Sequence, residues 1–205
     1  MSKSFLASLL AFVCVGLVAG ALAQTSYSAP TASADQTAPS YDMKAQSLVD
    51  LERVQKKIVD LAQALPNEKF TWRPTADSRS FAEVFLHVAG ERYGILGLRG
   101  TPVPAGVDLK TLEKSTTDKA QILAELNKSW EFTKNTINGM TNADFAKLLP
   151  KLGPQANEGD VVYILVADAH EHLGQAVAYA RENGVTPPWT VEAQKKMNEK
   201  KAEQK

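Results

Sequence analysis

The chain has 205 residues, 44% of them apolar, and its 23 basic and 23 acidic side chains cancel to a formal net charge of zero. That length fits one domain with extensions, the apolar fraction is that of an ordinary globular protein, and the charge balance gives no pull toward nucleic acid or an anionic membrane surface. Cys14 is the only cysteine.

The N-terminus reads as a secretory signal over residues 1–23. Lys3 supplies the positive start, Phe5 to Leu22 is almost continuously apolar, and Ala21-Leu22-Ala23 before Gln24 has the small-x-small pattern of a signal peptidase site. The alternative is an uncleaved membrane anchor, since the run approaches spanning length; no basic cluster follows to stop transfer. A lipoprotein reading of Cys14 is weak, because Val13 stands where a small residue belongs. Cleavage predicts a periplasmic or extracellular protein with no thiol, which excludes disulfides, cysteine zinc sites and cysteine nucleophiles. Any metal then falls to His, Asp or Glu. Residues 24–40, rich in Ser, Thr, Ala and Pro, read as a disordered linker.

The helical pattern begins near residue 41. Leu48, Leu51, Val54, Ile58, Leu61 and Leu65 share one helical face, and Pro66 stops the helix. A long connection carrying Trp72 and Pro74 follows. Ser80-Phe81-Ala82-Glu83 is a capping box that opens a second helix running to about Leu98, before Gly100, Pro102 and Pro104. Asp118 to Gln121 is a weaker cap. Behind it Ile122, Leu126, Trp130, Thr133 and Ile137 line one face. Thr141 to Asp144 caps a short turn ending at Pro150. The last long helix is expected from about Asn157 to Asn183, stopped by Gly184 with Pro187 and Pro188 beyond. Val161 to Val166 has strand-like composition, but the pattern continues as helix. Residues 191–205 are polar all round, a frayed helix or disordered tail. Four long amphipathic segments and no convincing strand predict an all-α four-helix bundle over residues 41–190, and the long links permit a topology other than simple up-and-down.

There are three histidines, His87, His170 and His172. On a helix His170 and His172 lie about 160° apart and do not serve one ion, whereas Asp168 and His172 differ by about 40° and share a face. Leu165, Gln175 and Tyr179 lie on that same, inward stripe. An inward His87 on the second helix meets Asp168 and His172 across the bundle, and two imidazoles with one carboxylate suit Zn, Ni, Fe or Mn. Each residue also has a plainer reading. A helical histidine is often a hydrogen-bonded core residue, and Gln175 and Tyr179 either bind a ligand or pack at the core edge. Glu91, one turn beyond His87, is a fourth ligand, a general base or a solvated helix residue. His170 is expected to face solvent or a neighbouring loop.

Ala64-Leu65-Pro66, Trp72-Arg73-Pro74 and Arg79 to Ala89 resemble the first half of DinB/YfiT-like proteins. Glu171-His172-Leu173-Gly174-Gln175, Tyr179-Ala180-Arg181, Asn183-Gly184-Val185 and Pro187-Pro188-Trp189 resemble the second half, in the family's order. The resemblance implies a four-helix bundle holding a divalent metal with three histidines, one from the second helix and two from a His-x-x-x-His pair in the last. Carried over, the ligands are His87 and His172, with Asp168 where the family has its middle histidine. Some members look like thiol-dependent transferases or isomerases, although an exported protein sits apart from cytosolic thiols. The expected function is metal-dependent hydrolysis or group transfer on a small molecule. The alternative is a non-catalytic bundle that binds a metal, a small ligand or a protein. Expected partners are a small molecule, no nucleic acid, no membrane after signal cleavage, and a homodimer if an apolar face is left exposed.

Overall fold

Six α-helices and no strand form among residues 42–204, the part of the chain that the computed structural model describes. The signal and linker expectations, with Cys14, lie outside the described residues. Helix α1 spans Met43–Ala64, α2 Phe81–Leu98, α3 Lys119–Gly139, α4 Asn142–Ala146, α5 Glu158–Glu182 and α6 Pro188–Glu203. No described helix is long and apolar enough to cross a membrane.

The start signals act where they stand in the sequence. Glu83 N donates to Ser80 Oγ at 3.3 Å while the Ser80 amide donates to Glu83 Oε2 at 2.7 Å, so two orphan donors at the head of α2 are satisfied reciprocally. Thr141 with Asp144 and Asn157 with Asp160 do the same for α4 and α5. Asp118 caps α3 from one side only. Helix α1 begins five residues before the first apolar stripe residue, because Asp42 accepts from Ala45 N at 3.0 Å. The valine-rich start of α5 is helical. Its capping box sets the phase, and Val161, Val162 and Leu165 bury one side. The C-terminal tail is helix α6, begun by Pro188 at a position where the missing amide costs nothing. Trp189 lies against α1 with Lys57 Nζ 5.5 Å from its ring centre.

Helices α1 and α2 each pack against both α3 and α5. The two helices that are consecutive in sequence therefore stand on opposite corners of the bundle, and the connection through Trp72 spans the diagonal. The central core joins Leu51, Ile58 and Leu61 of α1, Phe81 and Phe85 of α2, Ile122 and Leu126 of α3, and Val162 and Leu173 of α5. Helices α1 and α3 also cap one another. Lys44 Nζ donates to the carbonyls of Asn138 and Met140 at 2.6 and 2.7 Å, and Lys119 Nζ to those of Gln63 and Leu65 at 2.7 and 2.8 Å. Each cation sits where the partner's dipole is negative. One cation lies inside: Arg92 is buried and donates to Gln55 Oε1, Leu126 O and Ser129 Oγ. Burial lowers its pKa to about 10, so it stays charged at neutral pH.

A second buried charge closes the far end of the bundle. Glu158, 1% exposed, accepts from Arg99 at 2.7 and 2.8 Å and from Lys147 at 2.9 Å. It ties the ends of α2 and α4 to the start of α5. Burial alone would raise its pKa, but Lys147 and Arg99 overcome this and hold it below the ordinary carboxylate value. Glu158→Gln should cost on the order of 2 kcal/mol near neutrality by leaving Arg99 unpaired. A depressed folded pKa adds stability that is complete above the unfolded value and lost as pH falls through the folded one. Melting curves of the two proteins should therefore converge between about pH 6 and about pH 3.

Candidate metal centre

Where α2 faces α5, the polypeptide places a polar cluster, His172 buried and the others half-buried, within an otherwise apolar contact. His87 and Glu91 stand one turn apart on α2, and Asp168 and His172 one turn apart on α5. Residues at this spacing project from one face. His87 Nε2 lies 2.9 Å from Glu91 Oε1, and His172 Nε2 lies 3.1 Å from Glu91 Oε2. The two imidazoles meet edge to face, 4.7 Å between centres. One donor atom from each of His87, Glu91 and His172 falls within 4.8 Å of the others.

The outer nitrogens of both rings are engaged. His87 Nδ1 is 2.9 Å from Glu113 Oε2, whose other oxygen takes Arg79 Nε at 2.9 Å. His172 Nδ1 is 3.0 Å from Gln175 Oε1, and the Gln175 amide donates to Tyr179 Oη at 3.1 Å. Tyr179 is wedged edge-on against Trp72 and Phe81, at 5.4 and 5.6 Å between ring centres. Both acceptors favour a proton on Nδ1, which leaves each Nε2 turned inward toward Glu91. Such outer partners orient histidine ligands in metalloproteins.

Charge in the cluster is tightly shared. Hydrogen bonding to Asp168 and Glu91 lifts the His172 pKa to about 10. Burial opposes ionisation of Glu91, but His172, His87 and Asp168 outweigh it and hold that carboxyl far below its usual range. Burial, joined by the neighbouring Glu91, raises Asp168. Glu91 Oε2 is nonetheless buried without a properly directed hydrogen bond. A carboxylate oxygen in that condition is stabilised by a neighbouring cation, the protonated His172 ring or a metal ion in the place of its proton.

The donor set fits a divalent ion. Around a tetrahedral ion with bonds of about 2.1 Å, neighbouring donors lie roughly 3.4 Å apart. The 2.9 and 3.1 Å contacts need only a small opening to reach that. Asp168 Oδ1 is 3.5 Å from His172 Nε2, beside the three mutually close residues. His170 points away, paired with Asp50 of α1 at 2.7 Å. The cluster opens onto a cleft of about 460 Å³ bordered by Leu86, Ile95, Leu98, Leu109 and Leu112, with His87, Glu91 and Glu113 at its polar end.

A profile of the DinB superfamily matches residues 50–176. The chain belongs to the DinB superfamily. The match takes in His87, Glu91, Glu113, Asp168, His172 and Gln175. Among solved structures, the crystal structure of a conserved protein from Enterococcus faecalis aligns with a TM-score of 0.57 at 15% identity, covering 69% of this chain and 96% of that one. At that identity the likeness establishes the shared fold. No curated protein matches the chain.

For this DinB-superfamily chain, the sequence reading named His87, Asp168 and His172 as the ligands; the structure brings His87 and His172 together with Glu91 and leaves Asp168 beside them, 3.5 Å from His172. Glu91 holds the position between the imidazoles. It is related to His87 by the same one-turn spacing that joins Asp168 to His172. Glu113 had no sequence signal: it lies 26 residues beyond His87 in the α2–α3 connection. Gln175 and Tyr179 act through His172, orienting its ring. Gln175→Leu should weaken Zn²⁺ binding by roughly 10- to 100-fold in a chelator-competition titration. His170→Ala should leave it unchanged.

Proposed function

We propose that this chain is an exported DinB-superfamily protein that holds one divalent transition metal ion through His87, Glu91 and His172, with Asp168 as a further oxygen donor at its edge, and presents the ion to a small molecule. The carrying observation is the convergence of His87, Glu91 and His172, the half-buried Glu91 carboxylate flanked at 2.9 and 3.1 Å by two inward Nε2 atoms. Two imidazoles and one or two carboxylates suit Zn, Ni, Fe or Mn. Once bound, such an ion supplies Lewis-acid polarisation of a ligand oxygen, the chemistry of hydrolytic and group-transfer enzymes. The protein's own contribution is positional. Glu113 and Gln175 orient the imidazoles, and the leucine-rich cleft shelters one side from water. Export rests on the apolar run ending at Ala21-Leu22-Ala23 before Gln24.

A second reading, a non-catalytic bundle that binds a metal, a small ligand or a protein partner, has one observation in its favour. The two carboxylates bordering the cleft are both engaged, Glu91 with the imidazoles and Glu113 with Arg79 and His87. Neither is free to serve as a general base. Turnover of a small ester or amide by metal-loaded protein separates the two readings.

Elemental analysis of purified protein after reconstitution should give about one equivalent of metal per chain, consistent with a single three-residue donor set. Less than about a tenth of an equivalent would overturn the proposal. Glu91→Gln should cut Zn²⁺ affinity at least about tenfold, since a neutral amide replaces the central anion. Asp168→His should tighten Zn²⁺ and Ni²⁺ by adding an imidazole; unchanged affinity would place Asp168 outside the coordination shell.

A further inference from the structure

The cleft beside the cluster has a composition of its own. Apart from His87, Glu91 and Glu113, its border consists of Leu86, Ile95, Leu98, Leu109 and Leu112 with two glycines of α2, Gly90 and Gly94. No lysine or arginine lines it. Glu113 is held by Arg79 and His87, and Glu91 by both imidazoles, so the carboxylates are turned to partners within the protein. The leucine wall comes from the α2–α3 connection, which folds back along α2. The glycines set its depth. A Cβ on Gly90 would meet Leu112 Cδ2 at 3.7 Å, and one on Gly94 would meet Leu109 Cδ1 at 3.8 Å. Alanine would just fit at either place, and anything larger would occupy the cleft itself.

We infer that this cleft binds an uncharged small molecule by an apolar tail. The tail lies between α2 and the Leu109–Leu112 wall, and a polar oxygen-bearing end points at His87 and Glu91. An anionic tail would meet no cation in the cleft and would face two carboxylates. A strongly polar tail would strip water from itself without finding hydrogen-bond partners. The volume of about 460 Å³ lies within the range of small-molecule pockets and exceeds what a one- or two-carbon ligand fills. This ligand class rests on the metal-site reading for which end of the molecule would react. The apolar selectivity belongs to the cleft with or without metal.

The test uses straight-chain primary alcohols from butan-1-ol to octan-1-ol as probes, titrated into the full chain with and without Zn²⁺. Leu and Ile methyl resonances provide the readout. Octan-1-ol should bind at least about tenfold more tightly than butan-1-ol, because each buried methylene adds to the transfer free energy. The shifts should centre on Leu109, Leu112 and Ile95. Gly94→Leu, which fills the cleft, should abolish both the shifts and the chain-length gain while circular dichroism, melting temperature and Zn²⁺ content stay as in the parent protein. If that variant does not fold, Leu112→Asp, at a half-buried position of the wall, should remove the chain-length gain instead. Equal affinity along the series, or shifts confined to other parts of the bundle, would overturn the inference. Failure to retain Zn²⁺ while the chain-length gain persists would count against the metal-site reading alone.

Discussion

The structure depends on a carboxylate placed where a helical bundle ordinarily keeps only apolar side chains. Glu91 faces α5 between His87 and His172, and its charge survives burial because two imidazoles and the Asp168 carboxyl surround it. Removing charges from water in a bundle interior is expensive, and the mutual attraction of a buried cluster does not reliably repay that cost. A hydrophobic pair at the α2–α5 contact would hold the helices together as well. What the cluster provides in exchange is a convergent set of donors with restricted freedom, and the surrounding fold keeps it in place.

That restriction is built in layers. Gln175 positions His172, Tyr179 anchors Gln175, and the aromatic group of Trp72 and Phe81 packs around Tyr179. On the other side Arg79 anchors Glu113, which positions His87. Trp72 and Arg79 both come from the connection that spans the bundle diagonal between α1 and α2, so the diagonal topology brings supporting groups from α1's exit to α2's site. The Ser80–Glu83 capping box then sets the helical phase that places His87 and Glu91 inward one and two turns after Glu83. Arg92, the next residue, turns toward α1 and α3, where Gln55, Leu126 and Ser129 satisfy it. Adjacent residues of opposite charge are thus directed to different helix contacts by the 100° step of the helix.

Most of this frame was legible because it is local. Capping boxes, the stripes of α1 and α3, and the Asn183-Gly184 stop are short-range signals with short-range causes. The strand-like valines of α5 and the polar tail show where composition and periodicity divide. The valines are helical because a cap and a buried face decide their phase. The tail is helical although it has no buried face, since Pro188 and helix-favouring residues suffice. In the candidate site, the one-turn pairs of α2 and α5 could be read from spacing, and so could their inward direction. Which carboxylate stands between the imidazoles could not. Glu91 and Asp168 have equivalent spacing to their histidines, and only the relative shift of two helices along their axes decides between them. Glu113 was beyond reach for a different reason. Its position follows from the path of a loop, which has no period.

The same loop links the cluster to the cleft. The α2–α3 connection supplies Glu113 to the His87 ring and Leu109 and Leu112 to the apolar wall, within a few residues of chain. A side chain that orients a prospective ligand and side chains that border its approach therefore come from one connection. The orienting carboxylate and the apolar wall are in that way supplied by one short stretch of chain, and Gly90 and Gly94 leave room for Leu112 and Leu109 against α2. A bundle whose helices pack by regular stripes gains specificity here from the one long connection that lies back across them.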